Sequence, residues 1–342
     1  MRITRVPASQ IEELAAFEVL TYPQALARLG VPYLFDENET DDMSEYEREE
    51  LAYIWYVQGD VVLRDNLSLH LEYGSYVLAI DGNLRVPGHL DMSFYVTGDV
   101  DVDYLTLLDT QVCLGTETVR YLQTQMAEDD NTVMRFRRRL ITAPVFLCHY
   151  HDPRGHDYSP RTALFAQYEA YLVEPYQPER ERFFRWHDWA YALQDDLYDP
   201  LEEGESNQFY LKPRKIYERL RDGGSIYREG FDFAAMPWHA RSVTALHDRK
   251  DWREAYLCAR QAAQLAPGFA AAFITMGLAL NHAGDWQSAE RAFKQADAVL
   301  SPRVEYQKAW VGRWLESFAA RRQRGDTSAP PPDWIDQGVA DL

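Results

Sequence analysis

The stretch from Cys148 to Asp157 holds the side chains best suited to metal chemistry: one thiol, three imidazoles and two carboxylates. On a strand, His149 and His151 would share a face, because successive side chains point to opposite sides, and both could reach one zinc ion. However, the spacing matches no zinc motif, and the Asp-Pro-Arg-Gly tetrapeptide before His156 is typical of a turn. We therefore expect a strand end with loop histidines and no metal site. A metal-dependent hydrolase is the alternative.

Motifs for other kinds of catalysis are missing from the sequence. It has no Gly-x-Ser-x-Gly elbow and no phosphate-binding P-loop, and Gly82, Gly88 and Gly98 do not form a dinucleotide fingerprint. Catalysis needs a few groups with perturbed pKa values in a cleft, and neighbouring acids carry little weight in a chain with 54 of them. We expect no catalytic residue, no cofactor and no enzyme activity.

The charge of the chain narrows the choice of partner. The chain has 54 acidic and 35 basic side chains, and its formal net charge is −19. Such a charge repels nucleic acid phosphates, so direct nucleic acid binding is not expected, and it suits a basic protein partner. Solubility alone is the simpler explanation of an acidic composition. A hydrophobic content of 46% and the length of 342 residues predict two or more folded domains.

The acids concentrate in two stretches. From Asp36 to Glu50 nine acids face one base, and a second group lies between Asp195 and Glu205 with the turn residues Pro200 and Gly204. We expect these stretches to be exposed, either as a solvated face or as a partner-binding surface. The candidate binding residues are Glu39, Asp41, Asp42, Glu45, Glu49, Asp195, Asp196, Glu202 and Glu203.

Cysteine content and hydropathy indicate where the chain works. Cys113, Cys148 and Cys258 are odd in number and widely spaced, which favours a reducing compartment. The N-terminal residues lack the apolar core of a signal peptide, and no segment approaches 18 uncharged apolar residues. We expect a cytoplasmic protein that does not enter the membrane.

A glycine-paced β region is predicted over residues 51–125. The line Asp-Gly-Asn-Leu-Arg-Val at 81–86 is echoed by Thr-Gly-Asp-Val-Asp-Val at 97–102, and Gly115 follows 17 positions after Gly98. A Gly-Asn/Asp turn followed by alternating apolar residues marks a strand start. We expect Leu84 and Val100 to point inward and Arg85 to point outward. The short period favours a parallel β-solenoid, with an antiparallel sandwich as the alternative.

Residues 236–322 are predicted to form helical repeats. Asp251-Trp252 and Asp285-Trp286 lie 34 positions apart, the period of a tetratricopeptide unit. The second unit resembles that family in Phe273, Met276-Gly277, Leu280, Ala289, Phe293, Ala296 and Pro302. The small residues let paired helices approach closely, and a helix from Val304 to Arg322 would cap the module. The resemblance implies protein interaction as a class.

The remaining segments are less distinctive. An acidic N-terminal segment over 1–50 is expected to be helical at 8–29, between a Ser9 cap and Gly30. A mixed aromatic and acidic region spans 126–235, with a helical pattern from Thr162 to Val173. The last region, residues 323–342, is expected to be a flexible C-terminal segment. The sequence thus predicts an α+β chain of five regions.

The β lines and the overall arrangement resemble known bacterial proteins. The lines at 81–86 and 97–102 are similar to those of bactofilin-like solenoids. Bacterial chains that join such coils to other modules look like immunity proteins, which neutralise secreted toxins of type VI or related polymorphic systems. The resemblance implies a non-catalytic inhibitor of a cytoplasm-acting toxin, most simply a basic nuclease occluded by acidic loops. The alternative of another class is a tetratricopeptide-type chaperone or adaptor for a secreted protein.

Overall fold

The computed structural model describes residues 17–29, 52–63, 67–68, 75–107, 110–125, 133–141, 143–148, 157–158, 162–166, 183–184, 191–200 and 209–336. Contacts divide the chain into two compact units, Met1–Leu164 and Phe165–Leu342. This division falls within the region 126–235, which the sequence analysis treats as one segment. The chain combines a β-rich unit with a helical one, in agreement with the predicted mixture of α and β structure.

The first unit consists mainly of strands. They are β1 (Glu18–Leu20), β2 (Ala52–Gln58), β3 (Val61–Val62), β4 (Leu67–Ser68), β5 (Ser75–Asp81), β6 (Leu84–Asp91), β7 (Ser93–Val96), β8 (Val100–Leu107), β9 (Thr110–Gln125), β10 (Val133–Ile141), β11 (Val145–Cys148), β12 (Asp157–Tyr158) and β13 (Ala163–Ala166). Among the described residues of this unit, helix α1 spans Tyr22–Leu29.

Parallel pairing organises these strands into two connected series. In one, β2 pairs with β5, β5 with β7 and β7 with β9. In the other, β3 and β4 pair with β6, β6 with β8 and β8 with β9. Strands β10 and β11 continue the parallel pairing on β9 beyond residue 125, where the β region was expected to end. The antiparallel sandwich alternative is therefore wrong for these strands.

The predicted glycine turns lie directly on one another. The N–H of Gly98 donates to the carbonyl of Gly82 (2.8 Å), and that of Gly115 donates to the carbonyl of Gly98 (3.0 Å). A Cβ on Gly98 would lie 2.6 Å from the Gly82 oxygen, and one on Gly115 would lie 2.5 Å from the Gly98 oxygen. No larger residue fits this approach without moving the backbone, so the glycine spacing follows from the stacking.

The residue after each glycine links successive turns through its side chain. The Asp60 carboxylate accepts from both the backbone and the side-chain N–H of Asn83, each at 2.9 Å. The Asn83 side-chain oxygen accepts from the N–H of Asp99 at 2.7 Å, and the Asp99 carboxylate accepts from that of Thr116 at 2.7 Å. These polar ladders hold the register of the strands that follow.

The predicted alternation on the strands is confirmed. Leu84 and Val86 are each 1% exposed, and Val100 and Val102 are fully buried. Arg85 between them is exposed. The parallel register places Leu84 beside Val100, so that inward residues of successive strands form continuous apolar rows.

The predicted N-terminal helix is shorter than expected. Residues 18–20 form β1, antiparallel to β2, and the helix begins only at Tyr22, while residues 8–16 lie outside the described residues. Leu20 and Ala25 pack with Ile54 in one buried cluster. Pro23 lies in the first turn of α1, where a missing N–H costs nothing, and pairing with β2 outweighs the helical pattern of the preceding residues.

The helix predicted from Thr162 to Val173 is also wrong over its first residues, which form β13. The Thr162 hydroxyl donates to the Ala143 carbonyl at 2.7 Å, and the Ala163 N–H donates to the Pro144 carbonyl at 2.8 Å. These long-range bonds fix an extended backbone that local propensity does not predict. Residues 167–173 lie outside the described residues.

The second unit is mainly helical. Its strands are β14 (Phe183–Phe184), β15 (Tyr198–Pro200) and β16 (Phe209–Leu211), and β15 pairs with β16 antiparallel. Its α-helices are α2 (Pro213–Arg221), α3 (Met236–Thr244), α4 (Trp252–Leu265), α5 (Ala270–His282), α6 (Trp286–Val299) and α7 (Glu305–Gln323). Short 3-10 turns span Asp195–Leu197, Phe233–Ala235 and Asp333–Asp336, and a π turn extends α3 from Ala245 to Arg249.

The 34-residue repetition reappears in the helix starts. Asp251 caps α4 by accepting from the Glu254 N–H, and Asp285 caps α6 by accepting from the Ser288 N–H, both at 3.0 Å. Gly277 of α5 faces Phe293 of α6, and a Cβ on it would lie 2.6 Å from the Phe293 ring. The predicted steric role of this glycine is therefore confirmed.

The last helix closes the helical region with aromatic side chains. The Phe293 ring lies 5.4 Å from that of Trp314 and 5.7 Å from that of Phe318, measured between centroids. Trp310 lies 5.9 Å from the same ring. In the part of the chain that the structure describes, no helix has both the length and the apolar character needed to cross a bilayer.

Candidate functional site

Two candidate binding residues, Asp195 and Asp196, begin the 3-10 turn that precedes β15. The Asp196 carboxylate accepts from Arg219 of α2 at 2.8 Å. The Asp195 carboxylate accepts from the Tyr198 hydroxyl at 3.0 Å and lies 3.8 Å from the guanidinium of Arg228. Both acids of the pair therefore have basic neighbours within the same unit.

The next acid along the chain is also paired. Lys212, just before α2, lies 2.5 Å from the carboxylate of Asp199. Arg303 donates to the backbone carbonyl of Asp195. This part of the acidic stretch is thus an alternation of carboxylates and basic groups, and its negative potential is weaker than its acid count suggests.

The paired acids remain partly accessible. The side chain of Asp196 is 47% exposed and that of Asp195 is 35% exposed, so a partner could still reach the outer carboxylate oxygens. Surface ion pairs of this kind contribute little to stability. Burial and the adjacent Asp195 carboxylate raise the pKa of Tyr198, which stays a neutral hydrogen-bond donor.

The other candidate binding residues, Glu39, Asp41, Asp42, Glu45, Glu49, Glu202 and Glu203, lie outside the described residues. His149, His151 and His156 also lie outside them, so the expectation for that segment stays a prediction. Within the described ranges, no three His, Cys, Asp or Glu side chains converge as a metal site would require.

The two cysteines whose side chains are described are poor nucleophiles. Burial raises the pKa of the Cys113 thiol to about 12 and that of Cys258 to about 11. A catalytic or redox-sensing cysteine needs thiolate character at neutral pH and access to solvent. Cys113 and Cys258 are fully buried, so they act as small core side chains.

A buried polar cluster on β6, β8 and β9 was missed by sequence reasoning. His89 stacks on Tyr104 with ring centroids 3.7 Å apart, and its Nε2 lies 2.7 Å from the Thr106 hydroxyl. Thr106 in turn accepts from Thr124 at 3.0 Å. The two threonines are at most 2% exposed, so their hydroxyls hold the strands together and do not meet a ligand from solution.

A second missed feature is a polar cleft between the start of α6 and residues 325–336, which we call the tail. Its volume is about 420 Å³. The cleft is lined by Asp285, Ser288 and Arg291 from the helix and by Asp326, Thr327 and Ser328 from the tail. The cleft could not be predicted from the sequence. The proline-rich composition of the tail does not indicate that it lies beside α6, and the cleft exists only because it does.

Asp285 is the most constrained group at this cleft, with 2% of its surface exposed. Its Oδ1 accepts from the Ser288 N–H at 3.0 Å and from the Ser328 hydroxyl at 3.3 Å. Its Oδ2 is buried, and no described group donates to it. A buried carboxylate oxygen without a donor is costly, so this position favours an additional hydrogen-bond donor.

The described polar groups therefore form ion pairs and helix caps, and several of them stay partly exposed. Comparison with protein-family models, curated proteins and solved structures finds no match to this chain.

Proposed function

We propose that the chain is a non-catalytic binding protein, and that it is an immunity protein neutralising a basic toxin in the cytoplasm. The mechanism is occlusion: acidic loops cover the positive groove in which a nuclease would hold phosphate, and aromatic side chains supply the dry centre of the contact. Opposite charge speeds such an encounter, which matters when single toxin molecules are lethal.

The observation that carries this proposal is the 34-residue repetition of capped helix pairs in the second unit. Asp251 and Asp285 cap equivalent helices, and Gly277 receives Phe293 as in tetratricopeptide-like packing. Stacked helix pairs of this kind present extended surfaces to other proteins and depend on neighbours for their stability. We infer a tetratricopeptide-like interaction module.

The distribution of paired acids sharpens the choice of contact residues. Asp195 and Asp196 form ion pairs with Arg228 and Arg219, which offset their charge, whereas the chain as a whole has a formal net charge of −19. We therefore expect the first acidic stretch, with Glu39, Asp41, Asp42, Glu45 and Glu49, to contribute more to attraction of a basic partner than the second.

We also propose that the parallel strands of the first unit form a short β-solenoid. Support comes from the stacked turns at Gly82, Gly98 and Gly115, and from inward apolar rows that continue from strand to strand. In such an arrangement each coil rests on the next, and one exposed face serves as a stiff platform.

The test starts with the reading frames beside this gene, where the proposal expects one that encodes a nuclease-like domain. The purified chain should inhibit that nuclease at a one-to-one ratio, and the affinity should fall markedly from low to high salt. Replacing the five candidate acids of the first stretch by their amides should weaken binding more than replacing Asp195 and Asp196. Full nuclease activity at saturating chain would exclude the inhibitor function, and a salt-independent affinity would exclude electrostatic occlusion.

A second candidate function is that of a chaperone or adaptor, in which the helical region grips a peptide. The observation that favours it is the tail, which already lies against helices α4 and α6. Deletion of residues 236–342 separates the two functions. It would abolish partner binding by an adaptor, whereas an acidic inhibitor would lose stability and keep its affinity.

A further inference from the structure

The tail contacts the helical region in the manner of a bound peptide. The Trp334 ring lies 5.2 Å from that of Tyr256, and Arg260 donates to the Ile335 carbonyl at 2.7 Å. Farther back, the Ala329 N–H donates to the Gly284 carbonyl at 3.1 Å. Trp334 and Ile335 belong to the 3-10 turn Asp333–Asp336, and residues 326–332 before it are non-helical. An aromatic anchor together with main-chain hydrogen bonds is a recurring mode of peptide recognition.

The tail also has two features of a separate peptide ligand, a turn that leads it away from α7 and a run of prolines. It begins after α7 at Gly325, whose positive φ of 73° turns the chain away from the helix. Pro330, Pro331 and Pro332 follow, and consecutive prolines hold an extended conformation at low entropic cost. The segment therefore keeps its shape without contributing to a hydrophobic core, and its contacts could be made equally well by another chain.

The fit of the tail is incomplete at Ser328. Its hydroxyl is 3.3 Å from the Asp285 carboxylate and 3.4 Å from the Gln287 N–H, both near the limit of a hydrogen bond. Beside it lies the cleft of about 420 Å³, and the second Asp285 oxygen is buried with no donor among the described residues. A longer side chain bearing a donor would fill the space that serine leaves.

The charge of the cleft specifies that donor. Asp326 already pairs with Arg324 at 2.9 Å, and Arg291 donates to the Ser288 hydroxyl at 2.7 Å. Among the described residues of the cleft, Asp285 is therefore the acid without a basic partner. A lysine ammonium or an arginine guanidinium would supply a charge-assisted hydrogen bond to Asp285, which is stronger than the present one from serine.

We propose that the tail occupies, in cis, a peptide-binding surface formed by α4 and α6, and that this surface receives from a partner a segment with a lysine or arginine where the tail has Ser328. The tail then protects the surface until such a segment displaces it. This inference rests on the second unit alone, so it stands or fails separately from the proposed toxin inhibition.

The test measures binding of a fluorescent peptide of residues 325–336 to full-length protein by anisotropy. The wild-type chain should bind it poorly, because its own tail competes at high effective concentration. The Trp334→Ala chain should bind it about tenfold more tightly or better, since its own tail has lost the ring contact with Tyr256. The Ala329→Pro chain loosens the tail at a different contact, the bond to Gly284, and should behave alike.

The basic position is tested with the same peptide carrying Ser328→Lys. It should bind the Trp334→Ala chain about tenfold more tightly than the wild-type peptide does. Adding Asp285→Asn should remove this gain while keeping α6 capped, because asparagine caps as well as aspartate. Asp251→Asn, the equivalent change at α4, is the matched control and should leave the gain intact.

Two results would overturn the inference. If neither the Trp334→Ala nor the Ala329→Pro chain, each with wild-type circular dichroism, binds either peptide saturably, α4 and α6 form no peptide-binding surface. If the lysine peptide binds no better, or its gain persists with Asp285→Asn, the partner does not carry a basic residue at this position.

Discussion

The two units of this chain both rely on repetition but enforce it in different ways. In the first unit, the turns at Gly82, Gly98 and Gly115 touch through backbone atoms, and Asn83 and Asp99 tie each turn to the next. In the second unit, each repeat is a helix pair with its own cap, Asp251 or Asp285. Register is thus set between successive turns in the first unit and at each capped helix start in the second.

This difference determines how damage spreads. A change at a stacked turn displaces backbone on both sides, so every later strand is affected. A change in a helix pair meets side chains such as Phe293, which can adjust by small rotations. We therefore expect the largest effects of small substitutions in the β turns, smaller ones at helix contacts, and the smallest at surface charges.

The most damaging small change should be Gly98→Ala. The added methyl would lie 2.6 Å from the Gly82 carbonyl and would also meet the Asn83 side chain. Since backbone must move, we expect a loss of about 3 kcal/mol in the free energy of unfolding, at the upper end for overpacking. Urea denaturation measures it. A loss below about 1 kcal/mol would mean that the turns are not tightly stacked.

Gly277→Ala should be less severe. Its methyl would lie 2.6 Å from the Phe293 ring, while alanine improves the intrinsic stability of the helix. We expect a net loss of about 1–2 kcal/mol in the unfolding free energy. Gly312→Ala on α7 is the matched control, because nothing lies within 4 Å of its added methyl. It should stabilise the protein by about 0.5–1 kcal/mol. Equal effects of the two changes would contradict the steric role of Gly277 against Phe293.

The spacing of glycines in the first unit and of aspartates in the second was the most reliable sequence signal. The lines at Gly82 and Gly98, and the 34-residue step between Asp251 and Asp285, predicted strand starts and helix starts that the structure confirms. These residues are informative because their steric role is local: a turn needs no Cβ, and a helix start needs an oxygen acceptor.

Features that depend on distant partners could not be predicted. Strand β10 contains Arg135, Arg138 and Arg139, and its polarity hid its pairing with β9, in which Arg139 lies beside Glu117. Residues Glu18–Leu20 fit a helical pattern in the sequence, but pairing with β2 makes them a strand. Long-range pairing outweighs local propensity in such segments.

The candidate site shows the same limit. Asp195 and Asp196 were chosen for their charge, but their neighbours Arg228 and Arg219 come from later in the chain. Sequence identifies an acid and does not identify the base that neutralises it. The cleft at Asp285 could be found only once the position of the tail was known. The sequence predicted this segment to be flexible, whereas in the structure Trp334 and Ala329 fix it to the helical region.

The two helix caps should differ in a measurable way. Asp251→Ala removes the acceptor for the Glu254 N–H and should cost about 1 kcal/mol of unfolding free energy. Asp285→Ala removes the equivalent acceptor but also a buried oxygen that has no donor among the described residues, so its cost should be smaller. Thermal denaturation of both variants compares them directly. A larger loss from Asp285→Ala would show that this carboxylate is fully satisfied.

The smallest expected effect concerns the charge of Glu290 on α6. Hydrogen bonds from Arg322, and then from Lys294, hold the pKa of this carboxyl below its ordinary value. A lowered pKa in the folded state stabilises the protein above the unfolded pKa of about 4.3, and this contribution is lost as the pH falls through the folded value. The wild type should therefore exceed Glu290→Gln in stability at neutral pH, and the difference should shrink below about pH 5.

Urea midpoints of both proteins from neutral to acidic pH test this sign. Glu316→Gln, at an exposed position of α7, controls for the loss of one negative charge and should follow the wild type throughout. Because the chain carries a net charge of −19, removing any acid relieves some general repulsion, and the control accounts for it. A constant difference between wild type and Glu290→Gln at every pH would mean that Glu290 acts through packing and not through its ion pairs.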